Sequence, residues 1–193
     1  MTAEPILVVA KLARVLDDLG IPYLVGGSFA SSIYGTPRAT QDVDIVADIA
    51  MAHVEPLARA LGTSFHVDAA MMREAVRERG SFNVLYLPTM FKADVFIVKG
   101  DPRSREELKR ARTEEIETSE GKVSIRFATP EDTLLHKLYW YRLGNETSDR
   151  QWSDVTGMLK VQADSLDHAY LDRWAQQLGV ADLLARAKRG LDP

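Results

Sequence analysis

"VGGSFASSIYGTPRATQDVDIV", Val25 to Val46, decides how the chain is read. It joins a glycine pair, Gly26-Gly27, to two carboxylates one residue apart, Asp42 and Asp44. "DVDIVAD" alternates acid and apolar residues, which is the period of a half-buried strand. Val43, Ile45 and Ala47 then face a core, and Asp42 and Asp44 share the other face, roughly 7 Å apart at their roots. Two carboxylates that close repel, and one takes up a proton unless a cation sits between them. Magnesium prefers carboxylate and phosphate oxygens and binds through one or two carboxylates plus substrate phosphates. The plain alternative is an exposed sheet face bearing two solvated acids.

Upstream, "IPYLV" reads as a strand that stops at the glycine pair, and "SFASSIYG" as a helix of about two turns. A strand ending in Gly-Gly-Ser before a helix lets backbone approach a phosphate closely. The helix start offers free N–H groups and a favourable dipole. Gly26, Gly27 and Ser28 are therefore candidate phosphate-binding residues, although a tight strand–helix turn also explains them. Arg38 and Thr40 precede the acids. They either touch a triphosphate or, for Arg38, pair with an acid.

Away from this stretch, Leu12, Val15, Leu16 and Leu19 keep helical spacing up to Gly20. "VEPLARALG" and "MMREAVRERG" read as helices. "FNVLYL" and "FKADVFIVK" read as a strand pair with Pro88 in its connection. "SREELKRARTEE" reads as one charged, solvated helix, and "KVSIRFA" as a strand. Thr129-Pro130-Glu131-Asp132 has a capping hydroxyl, proline at the first helical position and acids in the first turn. From there the chain reads as helices to its end. The expectation is an α+β protein: a mixed β-sheet core flanked by helices over 1–127, then a helical bundle over 128–193.

Composition sets the outer limits. The 193 residues are 46% hydrophobic and 27% charged, with a net charge of −4. No global basic field of the kind found on nonspecific DNA binders is expected. There is no cysteine, which excludes disulfides, cysteine zinc sites and thiol nucleophiles. The N-terminus is a poor signal peptide and no apolar run spans a bilayer, so a cytoplasmic protein without a membrane partner is expected. A P-loop, G-x-x-x-x-G-K-[ST], is missing. His53, His66 and His168 show no metal spacing, and His136 reads as structural. Tyr139, Trp140 and Tyr141 read as core. Arg73, Arg77 and Arg79 read as a solvated basic face.

The order of these features resembles a known superfamily. "LVGGSFA" followed by "RATQDVDIV" is similar to the nucleotidyltransferases that share the palm of DNA polymerase beta. Their pattern is an apolar strand, Gly-Gly or Gly-Ser, a short helix, then acid-apolar-acid on a second strand, with a third acid from a later strand. "FKADVFIV" supplies that acid as Asp94, for which an ion pair with Lys92 or Lys99 is the plain alternative. The resemblance spans about Ile21 to Val98, with extra loop at "GTPRAT". "TPEDTLLHKLYWYRLGNETSDRQWSDV" resembles, more loosely, the abortive-infection (AbiE-type) nucleotidyltransferase toxins and their bacterial relatives. Lys137, Arg142, Asp149, Arg150 and Asp154 stand at the pattern's positions, and Lys137 is implied to reach triphosphate.

The resemblance implies transfer of a nucleoside monophosphate from an NTP to a hydroxyl, with release of pyrophosphate. Asp42, Asp44 and Asp94 would be catalytic and hold two Mg²⁺ ions, or Mn²⁺ in their place. The acceptor stays open among a tRNA 3′ end, a protein and a small molecule. A cognate antitoxin or toxin protein is an implied partner. The competing reading is a nucleotide-binding or antitoxin-like module of the same fold.

Overall fold

A computed structural model describes residues 3–118 and 120–190. In chain order the elements are α1 (Ala3–Asp18), β1 (Tyr23–Val25), α2 (Gly27–Tyr34), β2 (Asp42–Ala47), α3 (Val54–Leu61), β3 (Phe65–His66), α4 (Ala69–Glu78), β4 (Ser81–Tyr86) and β5 (Phe91–Ile97). Then follow α5 (Pro102–Arg110), β6 (Arg112–Thr118), β7 (Gly121–Phe127), α6 (Pro130–Leu143), α7 (Asp149–Gln162), α8 (His168–Gln177) and α9 (Ala181–Arg189). Their contacts divide into two compact units. One runs up to Gly26 and resumes over Ala39–Ala128; the other is Gly27–Arg38 together with the chain from Thr129 onward.

The first unit carries one mixed sheet of order β3-β4-β5-β2-β1-β7-β6. β2 runs parallel to β5 and antiparallel to β1, and β4 pairs antiparallel with β5. The alternation along β2 is obeyed: Val43, Ile45 and Ala47 are buried, while Asp42, Asp44 and Val46 are half-buried. β5 repeats it, with Phe91, Ala93, Val95 and Ile97 buried. Leu12 and Leu16 of α1, Leu57 and Leu61 of α3, and Ile45, Phe82, Val84 and Val95 of the sheet line a common internal gap. Burying such side chains contributes about 1.5–3 kcal/mol each. On the opposite face, Leu24, Val98, Leu108 and Ala128 form a second buried cluster against which Val46 packs. The face that carries Asp42 and Asp44 thus turns apolar by Val46.

One segment departs from the sequence reading. "SREELKRARTEE" is not a single helix, because α5 ends at Arg110 and Arg112–Thr118 is β6. Helical propensity favours the charged run, but Arg112–Thr118 pairs residue for residue with Gly121–Phe127. Ladder hydrogen bonding outweighs the weak local preference. The charged side chains then guard an edge strand against pairing with another chain.

The second unit is helical. Thr129 caps α6 as its sequence promises: its Oγ1 accepts from the Asp132 N–H at 3.1 Å, and Pro130 fills the first turn. Leu134, Leu135, Leu138 and Tyr141 form the buried side of α6. Tyr139 and Trp140 differ from expectation. They lie one and two residues past Leu138, off the buried stripe, and Trp140 is 56% exposed. Tyr141 alone of the three is core, with its ring 5.2 Å from that of Trp152. The loop after α2 packs tightly on α7. A Cβ on Gly35 would fall 2.9 Å from Met158 Cγ, so only glycine fits there.

Among the described residues, no helix is long and apolar enough to cross a membrane.

Candidate functional site

The sheet unit gathers the acids. Asp44 on β2 lies directly opposite Asp94 on β5, and Asp42 lies opposite Lys92. In a parallel pair, residues in register point to the same face. Asp42, Asp44, Lys92 and Asp94 are all half-buried on that face, so three carboxylates and one ammonium share it. The Lys92 Nζ lies 2.7 Å from Asp94 Oδ2. That hydrogen bond raises the Lys92 pKa above the ordinary lysine value against its slight desolvation, and attraction to Asp94, Asp42 and Asp44 adds to it. The ion pair weighed as the plain alternative for Asp94 is therefore present. The Thr40 hydroxyl lies 3.0 Å from the Asp42 carbonyl and 3.2 Å from its Oδ1, which ties Thr40 to the orientation of Asp42.

The face fits a divalent cation in charge and donor type. Three carboxylate charges against one ammonium leave two unbalanced, the charge of one such ion, and hard oxygen donors suit magnesium. As the side chains stand, among the described residues no three acidic, histidine or cysteine side chains are grouped closely enough to hold a metal ion.

The glycine pair behaves unequally. The Gly26 N–H donates to the Asp44 carbonyl at 2.9 Å, which fixes the end of β1 beside the second acid. A Cβ there would meet only Leu24 Cδ1, at 3.9 Å, so packing does not demand glycine. Gly27 has φ +58°, a backbone that L side chains adopt at a cost.

In the helical unit, three predicted phosphate residues meet around a carboxylate. Arg38 Nε and Nη2 grip Asp154 Oδ1 and Oδ2, each at 2.9 Å. The Lys137 Nζ donates to Asp154 Oδ2 at 2.7 Å. Both cations also reach the Ser28 hydroxyl, Arg38 at 2.5 Å and Lys137 at 3.3 Å. Lys137 is not a solvated lysine: its side chain is 6% exposed, and that of Asp154 is 7% exposed. Burial pushes the Asp154 carboxyl upward, but hydrogen bonds from Arg38 and Lys137 and their charges outweigh it and hold it below the ordinary carboxylate value. The quartet Ser28, Arg38, Lys137 and Asp154 carries one positive charge in excess, at the first turn of α2. Such an arrangement attracts an anion.

The other residues of the looser sequence pattern are placed differently. Arg142 is bound to Asp182 at 2.6 Å, and Asp149 and Arg150 are exposed. The basic helix face is also partly committed, since Arg73 pairs with Glu55 and Arg79 Nη1 donates to the Val98 carbonyl. The sequence names Asp154 and Lys92 without giving either a role in the site: Asp154 as a pattern position and Lys92 as a pairing partner of Asp94. The signal for Asp154 was its place in the Lys137-to-Asp154 pattern. For Lys92 it was the two-residue spacing from Asp94 on a strand.

Against known proteins, no family model matches the chain, and no curated protein matches it. Solved structures do. An antigenic nucleotidyltransferase-like protein from Paracoccidioides brasiliensis aligns with TM-score 0.56 and 18% identity, covering 94% of this chain and 90% of that one. ANT(2")-Ia in complex with adenylyl-2"-tobramycin aligns with TM-score 0.57 and 14% identity over 91% of this chain and 97% of that one. A solution structure of the same antibiotic-resistance factor aligns with TM-score 0.53 over 98% of this chain. The protein therefore has a nucleotidyltransferase fold, an α+β core with a mixed sheet and associated helices.

Proposed function

We propose that the protein is a metal-dependent nucleotidyltransferase that moves a nucleoside monophosphate from an NTP to a hydroxyl acceptor. The observation that carries this reading is the shared face of Asp42, Asp44 and Asp94, with Asp44 and Asp94 in register. Lys92 balances one of the three carboxylate charges on this half-buried face, and a divalent cation would balance the other two. The nucleotidyltransferase fold of the aligned structures supports the same conclusion.

Asp42, Asp44 and Asp94 would hold the divalent ions, two in the full complex. Mg²⁺, or Mn²⁺ with the same donors, would supply Lewis-acid stabilisation of charge on the α-phosphate and the departing pyrophosphate. Thr40 fixes the carboxylate of Asp42. Gly26, Gly27 and Ser28 offer close-lying backbone and a hydroxyl to the β- and γ-phosphates. Arg38 and Lys137 supply the positive charge that neutralises them. Asp94 accepts or steers the proton of the attacking hydroxyl. The acceptor oxygen bonds to the α-phosphorus, the bond from that phosphorus to the β-bridging oxygen breaks, and pyrophosphate leaves with the electron pair.

The acceptor is drawn from three classes: a small-molecule hydroxyl, a tRNA 3′ end and a protein hydroxyl. The adenylyl-tobramycin complex of one aligned structure supports the first. The likeness of Thr129 to Asp154 to abortive-infection enzymes supports the second, with a cognate antitoxin as partner. The test is incubation of the purified protein with each α-labelled NTP, Mg²⁺ and aminoglycosides, total RNA or candidate proteins. Label entering one acceptor class, lost in Asp44→Asn, is expected. Tight NTP binding with no pyrophosphate released across the panel would replace this reading with a nucleotide-binding module.

A further inference from the structure

Lys92 stands on the face of the three acids and forms an ion pair with Asp94. It lies across the ladder from Asp42 and within 2.7 Å of an Asp94 oxygen. Its side chain is 43% exposed and that of Asp94 is 18% exposed, so the head group can leave for water without opening the core. A lysine is a flexible, monodentate point charge, unlike the planar fork of an arginine, and its bond to a carboxylate is readily exchanged. A divalent ion competes for the Asp94 carboxylate, whose Oδ2 the ammonium holds.

We infer that Lys92 is a positioning residue that competes with the divalent cation for Asp94, serving as a tethered counter-ion while the protein is free of nucleotide. This rests on the metal-dependent reading above and deepens it. When the ion enters, the Lys92–Asp94 hydrogen bond breaks and a metal–carboxylate bond takes its place. The ammonium moves to solvent with its proton. Both steps conserve charge, and no further reactant is needed. The lysine offsets repulsion among the acids in the empty state and lowers the affinity of the free protein for metal. The ion then enters most readily with the triphosphate, whose negative charge draws it in.

The experiment measures manganese binding with manganese chloride alone, in nucleotide-free protein, from the paramagnetic signal of the free ion. Wild type, Lys92→Met, Lys92→Arg and Asp42→Asn are compared, each checked for folding by circular dichroism. Lys92→Met is expected to bind manganese about tenfold more tightly, since one repelling charge a few ångströms away is removed and solvent screens part of it. The rise in melting temperature on adding manganese should also be larger in Lys92→Met than in wild type. Lys92→Arg should stay at or below the wild-type affinity. Equal or weaker binding by Lys92→Met, with wild-type binding that still depends on Asp42, overturns the role of the lysine and leaves the metal reading standing. Wild-type binding indifferent to Asp42→Asn overturns the metal reading and this inference with it.

Discussion

Arg38 grips both carboxylate oxygens of Asp154 at 2.9 Å across 116 positions of sequence. The bidentate contact ties the loop after α2 to α7, and Lys137 of α6 completes it at 2.7 Å. Asp154→Ala would remove the carboxylate shared by two cations, one of them almost wholly buried. Breaking such a pair costs more than the pair contributes, since the remaining charge stays desolvated. A loss of roughly 3 kcal/mol is expected, at the low end for buried pairs because Arg38 retains some access to water. Thermal unfolding of the purified variant checks it, and an unchanged melting temperature would show the quartet to be energetically idle.

The same carboxylate makes a pH prediction. Its folded-state value lies below the ordinary carboxylate value because Arg38 and Lys137 overcome its burial. A depressed folded value contributes stability that is fully present above the unfolded value, near about 4. That contribution is lost as pH falls through the folded value. Melting temperatures measured from neutral pH down to about pH 3 should fall more steeply for wild type than for Asp154→Asn. Parallel curves would remove Asp154 from the acid response.

The legible parts of the chain were those where one period ran uninterrupted. β2 from Asp42 to Ile45 and β5 from Phe91 to Val95 alternate acid or lysine with buried apolar residues, and both strands lie where that alternation placed them. The Thr129-Pro130 cap was equally local, and so was readable. The short β3 and the edge strand β6 were not, because their strand character comes from ladder partners rather than from their own side chains. The burial of Lys137 was hidden for a related reason. Its helix position looks solvated, and the partner that helps make a buried ammonium tolerable, Asp154, lies 17 residues on. The grouping of Gly27–Arg38 with the C-terminal helices is likewise a matter of packing between distant segments, such as Gly35 against Met158.

Gly26 and Gly27 separate a ligand role from a backbone role. Gly27 sits at φ +58°, so Gly27→Ala should lose about 1–2 kcal/mol of stability through left-handed strain. Gly26→Ala meets only Leu24 Cδ1 at 3.9 Å and should unfold within about a degree of wild type. If close approach of a phosphate is what Gly26 serves, its alanine variant should weaken NTP binding, measured by calorimetry, about tenfold. Equal NTP affinity in Gly26→Ala would reduce the pair to a turn.

Asp44→Asn should remove activity without lowering stability. Asparagine keeps the shape and removes one of the charges on the shared face of Asp42, Asp44 and Asp94, which lie in adjacent register. In the metal-free protein, less repulsion leaves the melting temperature unchanged or slightly higher. Transfer from an α-labelled NTP should drop at least about 10³-fold, since a neutral amide is a poor ligand for Mg²⁺ and cannot stabilise the charge that builds at phosphorus. Manganese should no longer raise the melting temperature, which separates loss of metal from loss of acceptor binding. A structural role for these acids predicts the reverse, a destabilised protein with whatever activity its folded fraction retains. Undiminished turnover in folded Asp44→Asn would end the metal role of this face.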